Sequence, residues 1–302
     1  MVSKKKNYID VSPKSKLKYY FWSDPYRLPK DEPTLKLFEQ KNIEFVIAFG
    51  KHTMNEKCYN KLQRLIDNNI GLNICLLDKD FAHLDNSHKF IELYKILRKN
   101  QIFNYVKEIY IDAEISNRYR RLSWNRKIAY ILSSYPTKNE YQRAVEDYNY
   151  LEKLIHKDSK KLGIIKSITA PHELEKITRN VPFEKINDDI TVTMVYRVPE
   201  GRKKEYNDQW FYQIAKKEGN SIFLGDIKDG YKSLKKDITI CSYLRKKRIY
   251  IYDYHGFQKF SKISDLKPYK HYKIRKTNLI SLKNITKIAG IEISDKFIKF
   301  FK

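Results

Sequence analysis

Short apolar runs alternate with longer amphipathic stretches along most of this chain. Eight of the runs have strand length, and the pattern predicts strands over Leu17–Ser23, Glu44–Gly50, Gly71–Leu77, Glu108–Glu114, Gly163–Thr169, Ile190–Arg197, Ser221–Asp226 and Arg248–Tyr254. Between them the apolar positions recur at helical spacing. Cys58, Leu62, Leu65 and Ile66 share a face within 55–69, as do Phe90, Leu93, Tyr94 and Leu97 within 87–100. Residues 118–156 read as two helices divided at Tyr135-Pro136, because proline and the residue before it both resist the α conformation. Eight strand–helix units within about 250 residues of the chain fit a closed barrel. An open doubly wound sheet is the rival, but the nine glycines form neither GxGxxG nor GxxxxGK[ST]. The expected fold class is therefore α/β, a single (β/α)8 TIM barrel over residues 17–262. A basic N-terminal tail over 1–16 precedes it, and residues 263–302 hold the last helix and a short basic C-terminal extension.

Composition narrows the picture. A 302-residue chain with 41% hydrophobic and 14% aromatic residues has enough apolar side chain for a large core, which excludes a disordered chain. The 61 Lys and Arg against 36 Asp and Glu give a net charge of +25. Such a surface attracts phosphate through counterion release, so a polyanion or nucleic acid is one candidate partner. Lysine is nonetheless spread along the whole chain, together with abundant Ile, Asn and Tyr, the residue usage of an AT-rich coding sequence. Charge alone therefore assigns no partner. Cys58, Cys75 and Cys241 are odd in number and widely spaced, which argues against a disulfide scaffold and against zinc or iron–sulfur ligation. No apolar run reaches the roughly 18 residues of a membrane span, and no apolar segment follows the basic N-terminus. The expectation is a cytoplasmic protein with no membrane span and no cofactor.

In a barrel of this kind, reactive groups stand at the C-terminal ends of the strands. The run EIYIDAE is the most informative. Alternation places Ile109, Ile111 and Ala113 on one face and Tyr110, Asp112 and Glu114 on the other. The apolar set belongs against the helices, which aims the second set into the barrel. Two carboxylates two residues apart on a strand lie about 7 Å apart. Each disfavours ionisation of the other, so one stays protonated near neutrality as a general acid. The competing reading is a pair of solvated carboxylates at a strand mouth.

Other groupings are weaker. Asp78, Asp80, His83, Asp85 and His88 cluster after the third strand but lack the central Gly and closing Glu of a calcium loop. A polar loop with Asn86 or Ser87 capping the next helix accounts for them better, and no metal site is expected. Asp226, Asp253 and His255 end the last two strands and either line the site or cap a helix. Trp22, Tyr20 and Tyr250–Tyr254 either stack on sugar faces or fill the core. Trp124 and Trp210 read as packing anchors in helices. No GxSxG elbow points to a serine hydrolase.

The fourth-strand DxE, Asp112 and Glu114, and Met194-Val-Tyr196-Arg197 on the sixth strand resemble the family 18 glycoside hydrolases, the chitinase-type barrels. That family's fourth strand ends DxxDxDxE, and Lys107 and Tyr110 stand here at the two earlier Asp positions. Its sixth strand reads MxYD, with Arg197 here in place of Asp. Its third-strand SxGG is absent, and tyrosines replace the eighth-strand Trp. The resemblance implies that Glu114 protonates the glycosidic oxygen. Asp112 then orients the substrate acetamido group, whose carbonyl attacks the anomeric carbon, and Tyr196 hydrogen-bonds that group. Tyr110, Met194, Arg197, Trp22, Asp226, Asp253 and Tyr254 complete the expected substrate-binding set, with Arg197 favouring an anionic sugar or a phosphate-bearing polymer. The expected function is cleavage of an amino-sugar-containing polymer. The alternatives are a non-catalytic carbohydrate-binding barrel and a polyanion-binding protein.

Overall fold

A computed structural model describes residues 8–53, 55–77, 86–113, 123, 126, 137–167, 185–196, 207–225 and 233–276. After a first strand, β1 (Tyr8–Val11), come β2 (Lys18–Ser23), α1 (Glu32–Gln40), β3 (Glu44–Phe49), α2 (Glu56–Asp67), β4 (Gly71–Leu76), α3 (Ser87–Arg98) and β5 (Val106–Asp112). The second half holds α4 (Lys138–Lys157), β6 (Lys161–Ser167), β7 (Ile190–Met194), α5 (Asp208–Lys217), β8 (Ser221–Leu224), α6 (Leu234–Tyr243), β9 (Arg248–Ile251), α7 (Tyr254–Phe260) and β10 (Tyr272–Arg275). Strands β2 to β9 form a closed barrel in sequence order. All neighbours run parallel, and β9 closes on β2 from Lys18↔Arg248 to Phe21↔Ile251. These are the eight predicted strands, each starting within two residues of its expected position.

Period-two alternation divides the barrel's apolar residues into two shells. Phe45, Ile47, Ile74, Ile109, Ile111, Ala113 and Ile249 face outward into the layer shared with the helices. Tyr20, Val46, Cys75, Tyr110, Ile165, Val192, Met194, Phe223 and Tyr250 fill the interior. Tyr110 fits because its partner across the ladder is Gly163, where an added Cβ would lie 2.3 Å from the Tyr110 ring carbon Cε1.

Capping residues turn the chain from strand to helix at one end of the barrel. Asp31, Asn55, Asn207 and Asp253 each accept a backbone N–H in the first turn of their helices, at 2.7–3.0 Å. Thr137 and Glu140 form a reciprocal capping box on α4, directly after the Pro136 break foreseen in the sequence. The helix expected before that break lies outside the described residues. Asn86 occupies the N-cap position of α3 without a side-chain cap bond, while the Ser87 hydroxyl donates to Asp147 at 2.6 Å.

The described parts of the two chain ends lie together. β1 pairs antiparallel with β10, from Tyr8↔Arg275 to Val11↔Tyr272, so the expected N-terminal tail and C-terminal extension meet in a two-stranded ribbon. The helix after β9, α7, ends at Phe260, and residues 277–302 of the expected last helix and extension lie outside the described residues. The segment after it is held to the barrel where the Tyr19 hydroxyl donates to the Leu266 carbonyl and Tyr269 N–H to Thr239 Oγ1. Among the described residues, no helix is long and apolar enough to cross a membrane.

Candidate active site

The two ends of the barrel interior differ in chemistry. At the N-terminal end, Glu44 is 2% exposed and accepts from Lys18 Nζ at 2.8 Å, Lys107 Nζ at 3.0 Å and Asn73 Nδ2 at 3.0 Å. Burial alone would raise its carboxyl pKa, but the two ammonium groups and the Asn73 amide outweigh it and hold the value below the usual carboxylate range. Beside it, Glu108 accepts from Arg248 Nη1 at 2.7 Å and from the Tyr110 hydroxyl at 2.5 Å. The Tyr110 and Tyr250 hydroxyls lie 2.7 Å apart, and Tyr20 stacks on Tyr250 with ring centroids 4.5 Å apart. Burial is the main cause that pushes the Tyr110 and Tyr250 phenols up. Interlocked ion pairs and phenols therefore close this end of the barrel. Glu44 and Glu108 escaped the functional reading of the sequence. The available signal was parity, since they share the inward face with Val46 and Tyr110.

The opposite end is lined by aromatic rings. Trp22, at the end of β2, packs on Tyr252 at 4.9 Å. Tyr252 in turn meets the edge of Phe223 at 6.1 Å and faces Tyr196 at 6.5 Å. Gly225 leaves the space that Tyr196 occupies, since a Cβ there would lie 2.7 Å from the Tyr196 ring. Asp112, the last residue of β5, lies on the same strand face as Tyr110 and is 6% exposed. Met194 ends β7 and is also buried in the interior cluster. The Trp22 indole N–H is buried without a hydrogen-bond partner. Aromatic rings thus gather at this end of the barrel, where a buried carboxylate ends β5.

The structure thus gathers Trp22, Asp112, Met194 and Tyr196 of the expected set at one mouth, with Tyr252 added. Three others fall elsewhere. Tyr110 sits below the mouth, its hydroxyl committed to Glu108 and Tyr250. Asp253 caps α7 through Gly256 N–H at 2.7 Å and has Arg27 Nη1 at 3.7 Å. Tyr254 packs outside the barrel, against Phe21, Phe38 and Phe45 at 5.4–5.7 Å. Strand parity would aim Tyr254 inward with Tyr250 and Tyr252, but the turn into α7, capped by Asp253, carries it to the helix side. Glu114, Arg197 and Asp226 lie outside the described residues, as do Trp124 and the stretch from Asp78 to Asp85. Among the described residues, no group of His, Cys, Asp and Glu is placed to hold a metal ion. Trp210 is in α5, packed on the outer core as anticipated.

No protein-family profile matches the chain, and neither does any curated protein. Similar folds do occur among solved structures. The spore cortex-lytic enzyme SleL of Bacillus megaterium QM B1551 superposes with a TM-score of 0.53 at 8% identity, over 85% of this chain and 76% of that one. A chitinase from Chromobacterium violaceum ATCC 12472 gives 0.44 at 10% identity, over 70% and 68%. A family 2 AP endonuclease from Brucella melitensis gives 0.47 at 7% identity, over 82% and 100%. The chain shares with the cortex-lytic enzyme the architecture of a single (β/α)8 barrel.

Proposed function

We propose that this barrel binds an amino-sugar-containing polymer at its C-terminal mouth and cleaves it as a glycoside hydrolase, with Glu114 as general acid. The observation that carries the reading is Asp112, a buried carboxylate ending β5 on the inward face, at a mouth walled by Trp22, Tyr196 and Tyr252. Pyranose faces present C–H groups that pack on aromatic rings, and an orphaned indole N–H is satisfied when a sugar hydroxyl or acetamido carbonyl accepts from it. The sequence continues from Asp112 to Glu114, the spacing of an acid and its assisting carboxylate. In this reading Glu114 delivers a proton to the glycosidic oxygen as the C–O bond breaks. Asp112 and Tyr196 orient the acetamido group, whose carbonyl oxygen takes the anomeric carbon, and water then opens the cyclic intermediate with retention. Met194 supplies an apolar wall, and Arg197 in place of the family's Asp favours a substrate bearing a carboxylate or phosphate.

The test is release of reducing ends across amino-sugar polymers with and without anionic sugars. Glu114→Gln is expected to lower kcat about 10²–10⁴-fold with affinity kept, and Asp112→Asn to cost less with activated leaving groups. Wild-type turnover by Glu114→Gln overturns the assignment. One observation favours a second reading, a carbohydrate-binding barrel that does not cut. The positions of the two earlier family aspartates hold Lys107, paired to Glu44, and Tyr110, bonded to Glu108. Glycan binding measured by calorimetry without any release of reducing ends selects this second reading.

A further inference from the structure

Alternation sorts the β1–β10 ribbon into two faces. Ile9, Val11, Tyr272 and Ile274 pack on the core side. The other parity places Tyr8, Asp10, Lys273 and Arg275 on the outer face, where Tyr8 pairs with Arg275 and Asp10 with Lys273 across the ladder. One step beyond the paired residues, Ser12 Oγ and His271 Nδ1 lie 3.1 Å apart. A cavity of about 420 Å³ opens at that end, lined by Asp10, Val11, Ser12, His271, Tyr272 and Lys273.

The charge along β10 has one sign. Lys267, Lys270, Lys273, Arg275 and Lys276 are all exposed, and none is ion-paired to a described carboxylate. The acids nearby are few and engaged. Asp265 accepts from Lys262 N–H, and beneath the ribbon Asp208 accepts from the Tyr272 hydroxyl. Asp237 is buried in α6, which also carries Lys235 and Lys236. Asp10 alone opposes the cations on the outer face itself, and Lys270 and Lys276 flank the pair it forms across the ladder with Lys273.

Two features select the occupant. Lys273 and Arg275 stand two residues apart on one strand, about 7 Å, with His271 two residues before them, so the cations form a row and not a plane. A row suits successive phosphates of one extended chain. Tyr8, across the ladder from Arg275, is 48% exposed and has no ring partner among the described residues. A free phenol ring beside a row of cations is a stacking platform for a base, a group that neither a lipid headgroup nor a bare polyphosphate carries. We propose that the outer face of the ribbon binds single-stranded nucleic acid, with phosphates along Lys273 and Arg275, a base on Tyr8 and the cavity at Ser12 and His271 receiving the neighbouring phosphate. The proposal is independent of the reaction at the mouth.

The experiment is fluorescence anisotropy of a labelled oligothymidylate with the full chain over a range of salt, with inorganic polyphosphate and phosphatidylglycerol vesicles as competitors. Affinity for the oligonucleotide is expected to fall with salt, and the double variant Lys273→Gln, Arg275→Gln to lower the log–log slope by about 0.7 for each cation lost. Tyr8→Ala should weaken oligonucleotide binding about five- to a hundredfold while polyphosphate competes against it as it does against wild type. The pair Lys30→Gln, Lys57→Gln, on the α1–α2 side of the barrel, should keep the wild-type slope, and circular dichroism melts check that every variant is folded. Equal slopes for the two lysine-and-arginine and lysine-only pairs overturn the proposal. So does oligonucleotide binding by Tyr8→Ala at wild-type strength, or a preference for phosphatidylglycerol vesicles over the oligonucleotide at matched phosphate concentration.

Discussion

At the N-terminal end of the barrel, Glu44 and Glu108 hold five cationic or hydroxyl and amide partners between them, and Tyr20, Tyr110 and Tyr250 fill the space around those bonds. At the C-terminal end, Trp22 keeps a buried N–H without a partner, and the rings of Tyr196 and Tyr252 are only partly covered. The same alternation of residues builds both ends. The difference is that the buried carboxylates at one end are held by cations and hydrogen-bond donors, while the Trp22 indole at the other keeps a donor for a ligand. Stability and binding should therefore separate between the ends, and each substitution below tests that separation.

The largest effect is expected from Glu108→Gln, which leaves the Arg248 guanidinium facing a neutral amide among buried phenols. Breaking one side of such a pair should cost about 3 kcal/mol in urea unfolding, with glycan affinity per folded molecule unchanged. A parallel loss of affinity would show that the two ends are coupled. Gly163→Ala comes next. Its methyl would meet a Tyr110 ring held in place by Glu108 and Tyr250, so destabilisation of about 1–3 kcal/mol is expected from overpacking.

At the mouth the pattern should reverse. Trp22→Phe keeps a ring against Tyr252 but removes the indole donor, so it should weaken glycan binding by about 1 kcal/mol. The melting temperature should stay level or rise, because an unsatisfied buried N–H is removed. If affinity is unchanged, the indole does not contact the ligand.

The smallest effect concerns acid. Glu44 has a folded-state pKa held below its ordinary value by Lys18, Asn73 and Lys107 against the opposing effect of burial. A depressed carboxylate contributes stability that is fully present above the unfolded-state pKa and lost as pH falls through the folded one. Melting temperature should thus hold down to the ordinary carboxylate range and decline below it. Glu44→Gln should be less stable at neutral pH and should show a shallower acid decline.

The barrel was legible because strand and helix periods are local. EFVIAF, GLNICL and ITVTM declare buried strands, and Asp31, Asn55 and Thr137 mark helix starts without reference to anything distant. The inward face of β5 was equally legible, since Ile109 and Ile111 could only belong to the helix side. YIDV and YKIR were not, because each is four residues long, is set among lysines and gains its hydrogen bonds only from the other, more than 260 residues away along the chain. Tyr254 illustrates a third case. The strand pattern carries through it, but the cap formed by Asp253 ends the strand first and turns the ring outward.

By itself, then, the sequence determined the order and parity of the strands, the helix caps and the short spacing from Asp112 to Glu114. Each depends on neighbours within a few residues, where backbone geometry is repetitive. Only the tertiary structure decided that Glu44 and Glu108 neutralise Lys18, Lys107 and Arg248, and that Trp22 meets Tyr252 across the β2–β9 seam. Closing a sheet brings its first and last strands together, and no local period encodes which side chains then touch across the seam.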